Sequence, residues 1–175
     1  MILTGAEIKK QVELGKLTIA PFDERYLNPN SYNYRLGGHY IVDSYEKYDL
    51  GSVDDNMLKI PSEGLLLQPG KLYLSSTYEV IGSEYYVTSL IGRSSVGRLG
   101  LFLQISADLG NLGQAHKWTL ELTCVQPIKI YPEMIIGQVS FWKPEGLIDL
   151  KYRDNYSIYD YPQKSNSNKL FDASL

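Results

Sequence analysis

At 175 residues the chain is long enough to bury one substantial core and too short to suggest two domains. Its 17 basic and 20 acidic side chains leave a formal charge of -3, which argues against a nucleic-acid polymer as partner, because a phosphate backbone calls for a basic excess whereas a mononucleotide needs only a local cluster. No run approaches the ~20 apolar residues of a membrane span, and Met1-Ile2-Leu3-Thr4 leads into charged residues without a signal-peptide core, so no membrane attachment and a cytoplasmic location are expected.

Thr4-Gly5-Ala6-Glu7 has the pattern of a capping box; Ile8 and Val12 follow on one face and Gly15 supplies a stop, so one short amphipathic helix is predicted over residues 5–14. From Leu17 onward the texture changes to short runs of Tyr, Val, Ile and Leu punctuated by Gly, Pro, Asn and Asp. These runs predict strands at 31–36, 40–43, 64–67, 71–75, 78–81, 85–90, 101–105, 119–125, 128–130 and 136–141. Strands so short and numerous favour a mainly β protein, a distorted jelly-roll or β-barrel with one N-terminal helix. From Lys143 the chain turns polar and tyrosine-rich, and 163–168 has a disorder-like composition. The expected division is a β domain over 1–150, helix included, and a polar tail over 151–175.

Within the β region, Gly92-Arg93-Ser94-Ser95-Val96-Gly97-Arg98-Leu99-Gly100-Leu101 suits no ordinary core element. Its glycines permit tight turns and close ligand approach, Ser94 is placed to cap a short helix, and Arg93 and Arg98 offer charged donors, so the segment reads as an anion cradle. Taken alone, an Arg-Ser-Ser of this kind reads as an exposed arginine-bearing turn. Downstream come Ser106-Ala107 and then Thr119-Leu120-Glu121, whose glutamate falls in an alternating strand pattern that fits either a solvent-facing side chain or a general base. Cys124, the single cysteine, lies in the apolar run 120–125, so an internal disulfide is impossible and a buried thiol in a reducing compartment is expected.

Together these blocks resemble the dCTP deaminase branch of the dUTPase-like superfamily. Arg93, Ser94, Ser95, Arg98 and Gly100 match its Arg-Ser-Ser-x-x-Arg-x-Gly segment, Ser106-Ala107 stands for its Thr-Ala pair, and Thr119-Leu120-Glu121 matches its Thr-Leu-Glu strand, with fitting spacing between the blocks. The resemblance implies a dUTPase-like barrel, with Glu121 as the catalytic base, Ser94 and Arg98 orienting water and stabilising charge at the ring, and Ala107 acting through its backbone carbonyl. It further implies Arg93 and Ser95 on the triphosphate and Thr119 and Leu120 at the substrate. In the tail, Tyr152, Tyr159 and Gln163 fall where such enzymes carry a tyrosine, a lysine and a glutamine that close over the nucleotide; Lys164 is a neighbouring substitute for the missing lysine.

Two segments depart from the pattern. Asn111-Leu112-Gly113-Gln114-Ala115-His116 keeps only the glycine of the family's loop, and Asn111 replaces an aspartate that meets the deoxyribose 3′-hydroxyl and, in dUTPases, activates water. An amide still bonds a hydroxyl but is no base. Pro29-Asn30-Ser31-Tyr32-Asn33-Tyr34-Arg35-Leu36-Gly37 resembles the family's Ser-x-Asp-x-Arg-Leu-Gly strand, with Asn33 for the aspartate and an architectural role expected.

The implied activity is deamination of dCTP to dUTP and ammonia by a homotrimer with shared active sites, with Mg²⁺ accompanying the triphosphate. His39, His116 and one cysteine cannot supply the His/Cys/Cys set of zinc-dependent nucleobase deaminases, so a zinc-independent reaction is expected. The alternatives are a bifunctional enzyme that releases dUMP, against which Asn111 weighs, and a catalytically silent nucleotide-binding regulatory protein.

Overall fold

A computed structural model describes residues 1–42, 58–103 and 108–147. The N-terminal helix α1 (Gly5–Glu13) starts where the capping box places it: the Thr4 hydroxyl accepts from the Glu7 N–H at 3.4 Å. Gly15, at φ +67°, ends it in the left-handed conformation that a side chain would resist. Ile8 is fully buried, and Gly5 lies so close to the Asn28 carbonyl that an added Cβ would sit 2.3 Å from its oxygen. The small residue thus lets the helix dock directly on the chain that enters the barrel.

The strands that follow are β1 (Thr18–Ala20), β2 (Tyr32–Val42), β3 (Leu58–Lys59), β4 (Leu65–Leu67), β5 (Tyr73–Thr77), β6 (Val80–Ser83) and β7 (Val87–Gly92). A single helical turn, α2 (Ser94–Gly97), leads to β8 (Leu101–Leu103), β9 (Gln114–His116), β10 (Thr119–Cys124), β11 (Ile128–Ile130) and β12 (Ile135–Trp142). The main sheet runs β7-β12-β2-β5-β10-β8, with β3 beside β2. After β8 the chain returns to β7: the Leu90 N–H donates to the Asp108 carbonyl and the Gly110 N–H to the Thr88 carbonyl, both at 2.8 Å. The sheet therefore curls back almost onto its own first strand, and two small sheets, β1-β6-β9 and β4-β11, flank it. The mainly β, barrel-like architecture with one short helix is the one expected from the sequence.

The interior is filled from alternate positions of these strands, including Tyr32, Tyr34, Leu36, Leu90, Leu120 and Phe141, all within 0 % exposure. Cys124 is buried as expected, and burial pushes its thiol pKa up.

The expected break between strands 31–36 and 40–43 is not a break. β2 runs through it, and its register with β5 shifts between Leu36 and Tyr40. Gly37 makes this bulge possible, since a Cβ there would lie 2.6 Å from the Ser76 hydroxyl. Expected strand 78–81 begins later, at Val80, because Tyr78 and Glu79 form the turn out of β5. β1, β3 and β9 have no counterpart among the expected strands. Position 43, residues 104–105 and the tail 151–175 lie outside the described residues.

Candidate active site

β10 sets the first half of the site by strand alternation. Leu120, Leu122 and Cys124 point into the core, so Thr119, Glu121 and Thr123 point outward. Glu121 is half-buried and stands opposite Leu74 of β5, while Thr119 stands opposite Ser76. Beside that Thr119 end opens a cavity of about 690 Å³ lined by His39, Lys59, Ser76, Tyr78, Lys117 and Glu133 among others.

The entry to β10 is clamped. The buried Thr77 hydroxyl accepts from the Trp118 N–H at 2.9 Å and donates to the Glu79 carbonyl at 2.7 Å, and the Thr77 N–H donates to the Trp118 carbonyl at 2.9 Å. The Trp118 indole N–H donates to the Ile81 carbonyl at 2.9 Å. Behind this clamp the fully buried Glu79 carboxylate accepts from the Arg35 backbone N–H at 2.9 Å and from its Nε at 2.7 Å. The Arg35 guanidinium lies over the rings of Tyr78 (4.1 Å) and Tyr26 (5.2 Å). Arg35 therefore does architectural work, as its segment suggested. So does Asn33, whose amide pairs with that of Asn28 at 3.0 and 3.3 Å, with Ser31 bonded to Gln138 beside it.

At the other end of β10 sits the arginine-bearing turn. The expectation that Ser94 caps α2 is corrected: Arg93 occupies the N-cap with extended backbone and makes no side-chain cap bond, and Ser94 is the first helical residue. The turn is closed by main chain instead, with the Val96 and Gly97 N–H groups donating to the Arg93 carbonyl at 3.0 and 2.8 Å. Buried Val96 anchors it while Ser94, Ser95 and Arg98 stay exposed. Because α2 is a single turn, aligned peptide dipoles add little charge at its start. Gly100, at φ +84°, turns the chain into β8; its carbonyl accepts from the Val125 N–H at 3.0 Å, and the Gln126 amide donates to the Leu99 carbonyl at 3.0 Å. Val125 is four residues beyond Glu121, about 13 Å along an extended strand, so one chain's turn is fixed well along β10 from its own Glu121.

Asn111 is exposed on a segment held at both sides. Gly110 packs where a Cβ would lie 2.1 Å from the Thr88 hydroxyl and 2.2 Å from the Trp118 ring, and the Gly113 N–H donates to the Ser83 carbonyl at 2.9 Å. Thus Arg93, Ser94, Ser95 and Arg98 share one turn, Thr119, Leu120 and Glu121 share one strand with Leu120 facing the core, and Asn111 stands on a third segment. Ser106, Ala107, Tyr152, Tyr159, Gln163 and Lys164 lie outside the described residues. Thr77, Glu79 and Trp118 were missed by sequence reasoning; the only available signal was a tryptophan directly before Thr119-Leu120-Glu121.

The dCTP deaminase-like family matches residues 2–144. The chain belongs to that family. A relative from Clostridium beijerinckii named "dCTP deaminase, dUMP-forming" is 45% identical over 163 residues, covering 90% of this chain and 94% of that protein. One from Rhodopirellula baltica named "dCTP deaminase" is 47% identical over 150 residues, covering 83% of this chain and 74% of that protein. Among solved structures, the 2'-deoxycytidine 5'-triphosphate deaminase from Agrobacterium tumefaciens matches with a TM-score of 0.64 at 21% identity, over 85% of this chain and 49% of that longer one. This likeness bears on the fold, which the family members share. Among the described residues no helix is long and apolar enough to cross a membrane.

Proposed function

We propose that this family member converts dCTP to dUMP: one water replaces the C4 amino group, releasing ammonia, and a second splits the triphosphate, releasing diphosphate. The observation that carries the reading is the near full-length similarity, 45% over 90% of the chain, to a relative named for the dUMP-forming reaction. It favours dUMP over dUTP as the product. Asn111 then serves the sugar hydroxyl, and the water that attacks phosphorus draws its base from elsewhere in the site.

In this reading Glu121 takes the proton from the attacking water and returns protons to N3 and the leaving ammonia. Ser94 and Arg98 hold water and the charge developing at the ring, joined by the Ala107 carbonyl. Arg93 and Ser95 hold the triphosphate, whose oxygens suit guanidinium donors. Thr119 and Leu120 offer backbone groups to the base edge. Tyr152, Tyr159, Gln163 and Lys164 close over the nucleotide. Mg²⁺ enters on the phosphates as part of the substrate and neutralises their charge.

The assembly in this reading is a homotrimer in which the turn of one chain faces Glu121 of the next. Exposed apolar side chains support it: Ile91, Leu99, Phe102 and Val125, at 45–69% exposure, lie on the strands and turns next to α2. Incubation of the purified protein with dCTP and chromatographic separation of products tests the function. dUMP with ammonia is expected; dUTP as end product would overturn the second hydrolysis, and unchanged bound nucleotide would leave a binding protein without turnover.

A further inference from the structure

We propose that Tyr34 is a positioning residue for the Arg93–Arg98 turn, acting through a hydrogen bond from its buried hydroxyl to the main chain at the turn's root. The proposal rests on the reading of that turn as the triphosphate cradle.

In the main sheet β12 separates β2 from β7. Tyr34 on β2 pairs with Gly137 on β12, and Gly137 pairs in turn with Gly92 on β7. The tyrosine ring crosses β12 at the residue without a side chain: a Cβ on Gly137 would lie 2.1 Å from both Cζ and Oη of Tyr34. Having passed that gap, the hydroxyl donates to the Ile91 carbonyl at 3.2 Å. The register of β12 against β2 shifts between Ile135 and Gly137, at the point of crossing. A phenylalanine would fill the same space, so packing alone does not account for a hydroxyl inside a core. Burial also raises the phenol pKa, which keeps it a proton donor.

Ile91 is one residue before Gly92 and two before Arg93, whose own carbonyl closes α2. Gly92, the last residue of β7, is itself held in the ladder opposite Gly137, and the turn begins at the next residue. Tyr34 thus ties down the end of β7 from which the turn leaves, and Gln126 holds the far end of the turn through Leu99. Together they fix where Arg93 leaves the sheet and hence where its guanidinium meets the phosphates.

Tyr34→Phe keeps the ring and removes one donor. The expected result is a two- to tenfold rise, roughly, in KM for dCTP with kcat within about twofold, while inhibition by dCMP, which lacks the outer phosphates, is unchanged. A purely structural role would lower the melting temperature and leave both constants where they are, and that outcome overturns the proposal, as does equal weakening of dCTP and dCMP. Arg93→Ala made alongside separates the two claims. If it leaves KM for dCTP unmoved, the cradle reading fails; if it raises KM while Tyr34→Phe does not, only the role of Tyr34 fails.

Discussion

Glu121 owes its outward direction to its neighbours: Leu120 and Leu122 are fully buried, and a strand cannot send three successive side chains inward. Glu121→Gln keeps shape and hydrogen bonding but removes the base, so turnover should fall by about 10²–10⁴ while the melting temperature still rises on adding dCTP. Unimpaired turnover would rule out the assignment. Tyr32 gives a prediction of a different kind. Burial raises its phenol to about 12 from an ordinary 10.0, so its contribution to stability is fully present below about pH 10 and is lost as pH rises toward 12, where the unfolded chain ionises first. Alkaline unfolding followed by circular dichroism should steepen in that window, and Tyr32→Phe should lessen the slope, the remainder being carried by buried Tyr34, whose phenol pKa burial also raises. At this scale the sequence revealed residue types better than roles. The arginines and serines of 93–98 were legible as one cluster, but which of them starts the helix depends on the extended backbone of Arg93, which the residue types do not state.

Among the elements, β10 was legible because its alternation is uninterrupted from Thr119 to Cys124. β2 was not, because a Gly-Gly pair in isolation reads as a turn and becomes a bulge only when Ser76 of β5 approaches it. The clamp on β10 was hidden for the same reason: Thr77 and Trp118 are 41 positions apart and meet only in the folded sheet. Thr77→Val preserves the side chain's shape and leaves the Trp118 N–H and Glu79 carbonyl without their partner, at a cost of about 1–3 kcal/mol. If the clamp sets where Glu121 stands, kcat should fall severalfold with KM for dCTP nearly unchanged. A fall in melting temperature with kcat intact would confine Thr77 to stability.

For the whole molecule, the barrel and its family were readable from end to end because the motif blocks span most of the chain. The site itself was less so, since the motif blocks name residues without saying how the arginine-bearing turn and the Glu121 strand stand to one another. Mixing Arg98→Ala with Glu121→Gln under conditions of subunit exchange should restore part of the activity, because some interfaces then combine an intact arginine with an intact glutamate; no recovery despite demonstrated exchange would exclude sites shared between chains. The reaction itself is read from the mass spectrum of the product formed from dCTP in heavy-oxygen water. The expected product is dUMP carrying heavy oxygen in its uracil ring, with ammonia and diphosphate released in equal amounts. Labelled dUTP that persists to the end of the reaction, or a monophosphate whose base is still cytosine, would contradict it.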